Sequence, residues 1–116
     1  MKVLIILNDP PYGTERSYNG LRLAQQLARH DDVTLHVFLM ADAVSCAKRA
    51  QSTPNGYYNL ERMLRGIVQK GATVGACGTC MAARGLTADE LVDDVHGSDM
   101  NELGAWTLAA DKVIVF

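Results

Sequence analysis

Val3-Leu4-Ile5-Ile6-Leu7 is an unbroken apolar run. Successive side chains of a strand point to opposite faces, so a strand with one wet face alternates apolar and polar residues. This run does not alternate. It reads as a strand covered on both faces, the habit of a parallel sheet held between layers of helices. Working outward, residues 33–39 read as a second strand, residues 73–76 as a short third and residues 113–116 as a terminal one; residues 92–96 are a further candidate. Helical patterns lie between them. Residues 15–29 carry Leu21, Leu23, Ala24, Leu27 and Ala28 on one broad face, and residues 41–49 are a shorter candidate. Leu60, Met63, Leu64, Ile67 and Val68 follow the spacing of one helix face, with Gly71 as the stop. Ser98 is the expected cap of a last helix with Met100, Leu103, Thr107 and Ala110 on one stripe and Trp106 beside it. Strands alternating with helices predict the α/β class, a three-layer α/β/α arrangement around a mostly parallel sheet.

The 116 residues are enough for one domain and too few for two, so residues 1–116 are read as a single unit. A hydrophobic content of 48% supplies a core without staples. Net charge is −2, and no stretch of Lys or Arg forms a footprint for nucleic acid or an anionic membrane. The first apolar run is too short for a signal peptide or a membrane span, so a cytoplasmic location is expected. Three cysteines fit no disulfide framework.

Open α/β sheets place their sites at the carboxyl ends of strands. Residues 8–14 follow the first strand, and Cys77-Gly78-Thr79-Cys80 follows the third. The cysteine pair opens a short helical turn, residues 80–84, which Gly85 stops; Thr87-Ala88-Asp89-Glu90 then has the pattern of a capping box. A thiolate at a helix start meets free N–H groups and a positive partial charge, which lower its pKa. Cys77, directly after the strand, is expected to have the lower pKa, and Cys80 to point back along the turn or into the domain. Arg84 adds charge if it folds back. Several readings stand at this point. The thiols are buried apolar groups, or a reactive dithiol, or half of a zinc site. Zinc needs four ligands, and Cys46, His96 or another subunit would have to supply two, so no metal is expected. A thioredoxin-like dithiol fits the spacing, but Pro10, Pro11 and Pro54 are the only prolines and none precedes a late strand.

Asp9 either faces Cys77 across the top of the sheet or shapes the turn with the prolines. Asn8 or Thr79 offers the thiol a hydrogen bond. Tyr12 and Gly13 wall the site, with Gly13 equally a turn residue. His30 suits the carboxyl end of a helix, His36 reads as packing, and His96 is the only histidine after the cysteine loop. Cys46 reads as buried in its helix. Residues 51–59 form a polar, turn-rich loop in which mobility is expected. Its Tyr57 and Tyr58 read as interface anchors, and the surface around Phe38, Met40, Tyr57 and Tyr58 is expected to be hidden against copies of the chain.

Taken in order, the opening strand with Asn8-Asp9-Pro10-Pro11-Tyr12-Gly13-Thr14-Glu15, then Phe38-Leu39-Met40-Ala41-Asp42-Ala43-Val44, Gly56-Tyr57-Tyr58-Asn59, Cys77-Gly78-Thr79-Cys80-Met81-Ala82-Ala83-Arg84-Gly85 and Trp106-Thr107-Leu108-Ala109-Ala110-Asp111-Lys112-Val113 span the chain. In this combination the sequence resembles the DsrE/DsrF-like sulfur-transfer family, in particular its small YchN-type members. The resemblance implies a five-stranded parallel sheet, homo-oligomers (trimers or hexamers), and a cysteine after the third strand that carries sulfane sulfur as a persulfide. That cysteine stands eight residues before the glycine of an Arg-Gly pair, which selects Cys77 against Gly85. Cys80 matches a second thiol of YchN-type members but not the single-cysteine carriers. The leading expectation is therefore a sulfur-relay protein with Cys77 as carrier, Cys80 as a resolving thiol, the persulfide in place of any cofactor, and donor and acceptor proteins as partners. A dithiol redox switch and a non-catalytic assembly protein are the alternatives.

Overall fold

The computed structural model describes residues 1–116. The elements run β1 (Lys2–Leu7), α1 (Arg16–Leu27), β2 (Thr34–Leu39), a 3-10 segment (Ala41–Ala47), α2 (Leu60–Gln69), β3 (Thr73–Cys77), α3 (Gly78–Ala83), a 3-10 turn (Ala88–Glu90), β4 (Val95–Ser98), α4 (Met100–Ala109) and β5 (Lys112–Val115). The five strands lie in the order β4-β3-β2-β1-β5, and every pairing is parallel. This is the expected three-layer α/β fold. No helix is long and apolar enough to cross a membrane.

The unbroken run of β1 has its predicted cause. Leu4 and Ile5 are both fully buried although they point to opposite faces. One face is covered by α1 and α2, which pack on each other. A Cβ on Gly20 of α1 would overlap Leu7 Cδ2, so α1 lies directly on β1. On the other face α4 stands alone: its Trp106 stacks on His36 of β2 at 4.4 Å and meets Phe38 edge-on at 6.2 Å. Gly75 of β3 makes room for it, since a Cβ there would stand 3.1 Å from Ser98 Cβ and 3.3 Å from Trp106 Cη2.

Local signals behave as their chemistry dictates, with five corrections. Asn59 caps α2 by accepting the Arg62 N–H at 3.0 Å, and Gly71 leaves the helix at φ +95. Gly85 stops α3 at φ +66, and the Thr87–Glu90 capping box is formed. The cap of α4, however, is Asp99, whose Oδ1 accepts the Glu102 N–H at 3.1 Å. Ser98 is the last residue of β4, and its hydroxyl donates to the Glu102 side chain instead. The expected helix over residues 41–49 is a 3-10 segment, and the strand sought at 92–96 is shifted to Val95–Ser98. Of the α4 stripe, only Leu103 is buried; Met100 is 55% exposed, because a single helix on a face leaves its flanks uncovered. Phe38 is fully buried and belongs to the core, not to a contact surface.

The glycines give a paired test of this packing. Gly20→Ala should lower stability by about 1–3 kcal/mol, because Leu7 is fully buried and has no space to yield. Gly104→Ala in α4 meets nothing within 4 Å and should raise stability by about 0.5–1 kcal/mol through backbone entropy. Urea midpoints of the two variants should move in opposite directions; a gain for Gly20→Ala would contradict the close approach of α1 to β1.

Candidate functional site

Cys77 closes β3 and is at the same time the residue from which α3 starts. Its neighbour in the sheet is Ser98, at the end of β4. Gly78 permits this approach, since a Cβ there would come within 3.3 Å of the Ser98 carbonyl oxygen. Cys77 is only 4% exposed, and its Sγ lies 3.2 Å from the Thr79 hydroxyl. Burial pushes the thiol pKa up. Hydrogen bonds from the Thr79 hydroxyl, the Cys80 N–H and thiol, and the Thr79 N–H outweigh burial and bring the pKa below that of an ordinary cysteine.

Beside this thiol is a cleft of about 280 Å³ lined by Cys77, Thr79, Ser98, Asp99, Met100 and Asn101. The last four come from the junction of β4 and α4, and the sequence reading did not find them as site residues. Only the β3–β4 pairing, not any local motif, brings them to Cys77. The junction is fastened by Glu102. One carboxylate oxygen, Oε1, accepts the Ser98 hydroxyl at 2.6 Å and pairs with His96 Nε2. Burial pushes this carboxyl up, but the Ser98 and His96 hydrogen bonds prevail and hold it below the usual carboxylate range. His96 therefore acts on the wall of the cleft and not on the thiol.

Cys80 is half-buried and is engaged on a second side as well. Its Sγ accepts the Ala41 N–H at 3.2 Å, in the turn that leaves β2, where Ala41 sits at φ +51. Arg84 does fold back, but onto the Cys80 carbonyl at 3.0 Å, and its charge is taken by Asp42 at 2.9 Å. It does not reach Cys77.

The loop after β1 lies at the same sheet edge without entering the cleft. Asn8 Nδ2 donates to the Phe116 carbonyl at 3.1 Å and secures the end of β5. Asp9 accepts the Thr14 hydroxyl at 2.9 Å, while its carbonyl accepts the Ser17 hydroxyl at 2.6 Å. Asp9 thus serves the turn into α1 and does not face Cys77. Tyr12 donates to Gln51 Oε1 at 2.6 Å and accepts the Leu60 N–H at 3.2 Å, tying this loop to the start of α2. Gly13 takes φ +97 and is a turn residue. Of the residues singled out from sequence, Cys77 and Thr79 share the cleft; Cys80 adjoins them one turn on; Asn8, Asp9, Tyr12, Gly13 and Arg84 do not line it.

Cys46 is fully buried, its Sγ 3.9 Å from the Asp9 carbonyl, and burial pushes its thiol up to about 12. No three His, Cys, Asp or Glu side chains converge in the geometry of a metal site.

Comparison with known proteins agrees with this architecture over its whole length. A model of the DsrE/DsrF-like family matches residues 1–116. Protein YchN of Escherichia coli is 40% identical over 116 residues, covering 99% of this chain and 98% of that one. An uncharacterised protein of Methanocaldococcus jannaschii is 34% identical over 116 residues, covering 100% of both. The crystal structure of the E. coli YchN protein matches with a TM-score of 0.93 at 40% identity, over 99% of this chain and 98% of that one. A protein of unknown function from Methanobacterium thermoautotrophicum shares the fold at a TM-score of 0.75 and 16% identity, over 99% of this chain and 97% of its own. The chain belongs to the DsrE/DsrF-like family.

Proposed function

We propose that the protein is a sulfur carrier whose reactive group is Cys77. The observation that supports this reading is a thiol with a lowered pKa, held at the end of β3 by Thr79 and opening on a cleft. Membership of the DsrE/DsrF-like family points the same way. The Cys77 thiolate attacks the outer sulfur of a donor persulfide. The donor S–S bond breaks, the donor leaves as a thiolate, and Cys77 becomes Cys77-S-SH with no net oxidation. An acceptor thiolate then takes the outer sulfur by the same step. If Cys80 instead attacks Cys77 Sγ, a Cys77–Cys80 disulfide forms and the outer sulfur departs as hydrosulfide; the two cysteines are oxidised and the sulfane sulfur is reduced.

One observation favours a second reading, a dithiol switch. The Ala41 N–H bond ties Cys80 to the turn after β2. A Cys77–Cys80 disulfide would draw Cys80 away and release that turn. Either chemistry starts from a reduced Cys77 thiol, the state that a reducing compartment, the cytoplasm, maintains.

The assembly belongs to the same proposal: a homo-oligomer, trimer or hexamer, that docks with donor and acceptor proteins. Support comes from the face that α4 covers alone. Val113 and Val115 of β5 are 42% and 60% exposed, and Leu108 of α4 is 90% exposed. β5 pairs only with β1, so its outer edge is open as well.

Three measurements test these statements. Treated with a sulfane donor and read by mass spectrometry, Cys80→Ser should gain one sulfur atom, the parent should gain one or pass on to the disulfide with release of hydrosulfide, and Cys77→Ser should gain none; loading of Cys77→Ser at the parent level would remove Cys77 from its role, and a parent that becomes a disulfide while Cys80→Ser gains no sulfur would favour the switch.

Alkylation rates should rise with pH as the Cys77 thiolate forms, with a midpoint below that of free cysteine. Thr79→Val removes the first hydrogen bond in favour of the thiolate, so its midpoint should move up and its rate at neutral pH fall several-fold, while the high-pH plateau stays. An unchanged midpoint in Thr79→Val would refute the account of the lowered pKa.

Light scattering should return a multiple of 12.6 kDa, reduced by Val115→Glu; a mass of one 12.6 kDa chain at micromolar concentration would exclude the oligomer.

A further inference from the structure

Asparagine followed by glycine occurs twice in the chain, at Asn19-Gly20 and at Asn55-Gly56; the other asparagines precede Asp9, Leu60 and Glu102. The dipeptide is chemically labile. The backbone nitrogen after an asparagine, on losing its proton to hydroxide, attacks the side-chain carbonyl carbon, and a glycine there puts no side chain in the way. The attack needs that nitrogen free of other bonds and a backbone able to bring it onto the side chain. As dipeptides the two sites are equal. The fold makes them unequal.

Asn19-Gly20 lies inside α1. The Asn19 N–H donates to the Glu15 carbonyl at 2.9 Å, and the Gly20 N–H follows in the same ladder. Asn19 Oδ1 accepts Arg22 at 3.1 Å. Gly20 is buried against Leu7 and Phe116, so the backbone cannot be reshaped there without lifting α1 off the sheet. Asn55-Gly56 is in the opposite condition. Both residues are exposed, and neither the Gly56 N–H nor the Asn55 side chain has a hydrogen-bond partner, whereas the amide of Asn59 is held by Gln51 and Thr53. The pair forms the centre of a turn closed by the Tyr57 N–H on the Pro54 carbonyl at 3.0 Å. Gly56 takes φ +79, and nothing stands within 4 Å of the place its Cβ would occupy, so the turn deforms without moving packed atoms.

We propose that Asn55 is a site of spontaneous modification in the folded protein, where the side-chain amide is converted to a carboxylate, and that α1 protects Asn19 from the same reaction. The Gly56 nitrogen attacks Asn55 Cγ; the new C–N bond forms, the bond to the side-chain nitrogen breaks, and ammonia leaves. Water then opens the five-membered imide. Opening at one carbonyl gives aspartate, and at the other isoaspartate, in which the main chain runs through the side-chain carbon. Nothing is oxidised or reduced. The net charge of −2 becomes one unit more negative. The isoaspartate form also adds a methylene within the Pro54–Tyr57 turn, next to Tyr57, itself 55% exposed. No residue of this turn lines the Cys77 cleft, so the inference stands independently of the sulfur reading.

The experiment incubates the full chain in neutral and in mildly alkaline buffer, folded and in concentrated urea, and follows residues 19 and 55 by peptide mass spectrometry and the whole chain by isoelectric focusing. In the folded chain residue 55 should convert, faster in alkali, and residue 19 at least about tenfold more slowly, because its helix must first open. Urea should bring the two rates together. Asn55→Gln, whose longer side chain disfavours the five-membered ring, should lose the acidic band, and an alkylation rate of Cys77 equal to the parent's shows that this variant is folded. An Asn55 that converts in urea but stays intact in the folded chain overturns the site, as do equal folded-state rates at residues 19 and 55. So does an acidic band that persists in Asn55→Gln.

Discussion

The double-sided burial of β1 and β2 governs the rest of the molecule. Leu4, Ile5, Leu7, Val37, Phe38 and Leu39 are all fully out of water, and each contributes about 1.5–3 kcal/mol of transfer free energy. That burial requires cover on both faces, and parallel strands require crossovers, so one demand is met by the other: the helices that return the chain are the helices that cover the sheet. All carboxyl ends then fall on one edge. The thiol of β3, the capping turn of α4 and the loop after β1 share that edge for topological reasons, before any chemistry is considered.

Cover is unequal, and the inequality has consequences. Two packed helices close one face, whereas the other has α4 alone. α4 approaches because Gly75 has no side chain, and it is held by the Glu102 carboxylate between Ser98 and His96. This arrangement walls the Cys77 cleft with the first turn of α4 but leaves Val113, Val115 and Leu108 in water. A polar fastener does what apolar area does on the opposite face.

Cys46 and Cys77 show how donors decide the character of a thiol. Both are buried, and in both burial opposes ionisation. Around Cys46 the hydrogen bonds are too few to compensate, and the thiol is pushed up to about 12. Cys77 stands closer to the surface, its burial penalty is smaller, and the Thr79 hydroxyl and the N–H groups of the starting helix outweigh it. Depth of burial and the donors of the next three residues together separate the inert cysteine from the one with the lowered pKa.

The legible part of this protein was what rests on near neighbours. Non-alternation in residues 3–7, the face formed by Leu60, Met63, Leu64 and Ile67, the stops at Gly71 and Gly85 and the capping box at Thr87 each depend on sterics or hydrogen bonds within a few residues. The position of Cys77 between strand and helix is of the same kind. What sequence could not decide is what depends on partners far along the chain. The cap of α4 moved from Ser98 to Asp99 because Ser98 is held in β4 beside Cys77. Asp9 is adjacent in topology to the cysteines, yet its carboxylate is engaged by Thr14. Phe38 looked like surface until Trp106, 68 positions later, closed over it. The cleft wall arises likewise, because strand pairing joins segments that no local pattern relates.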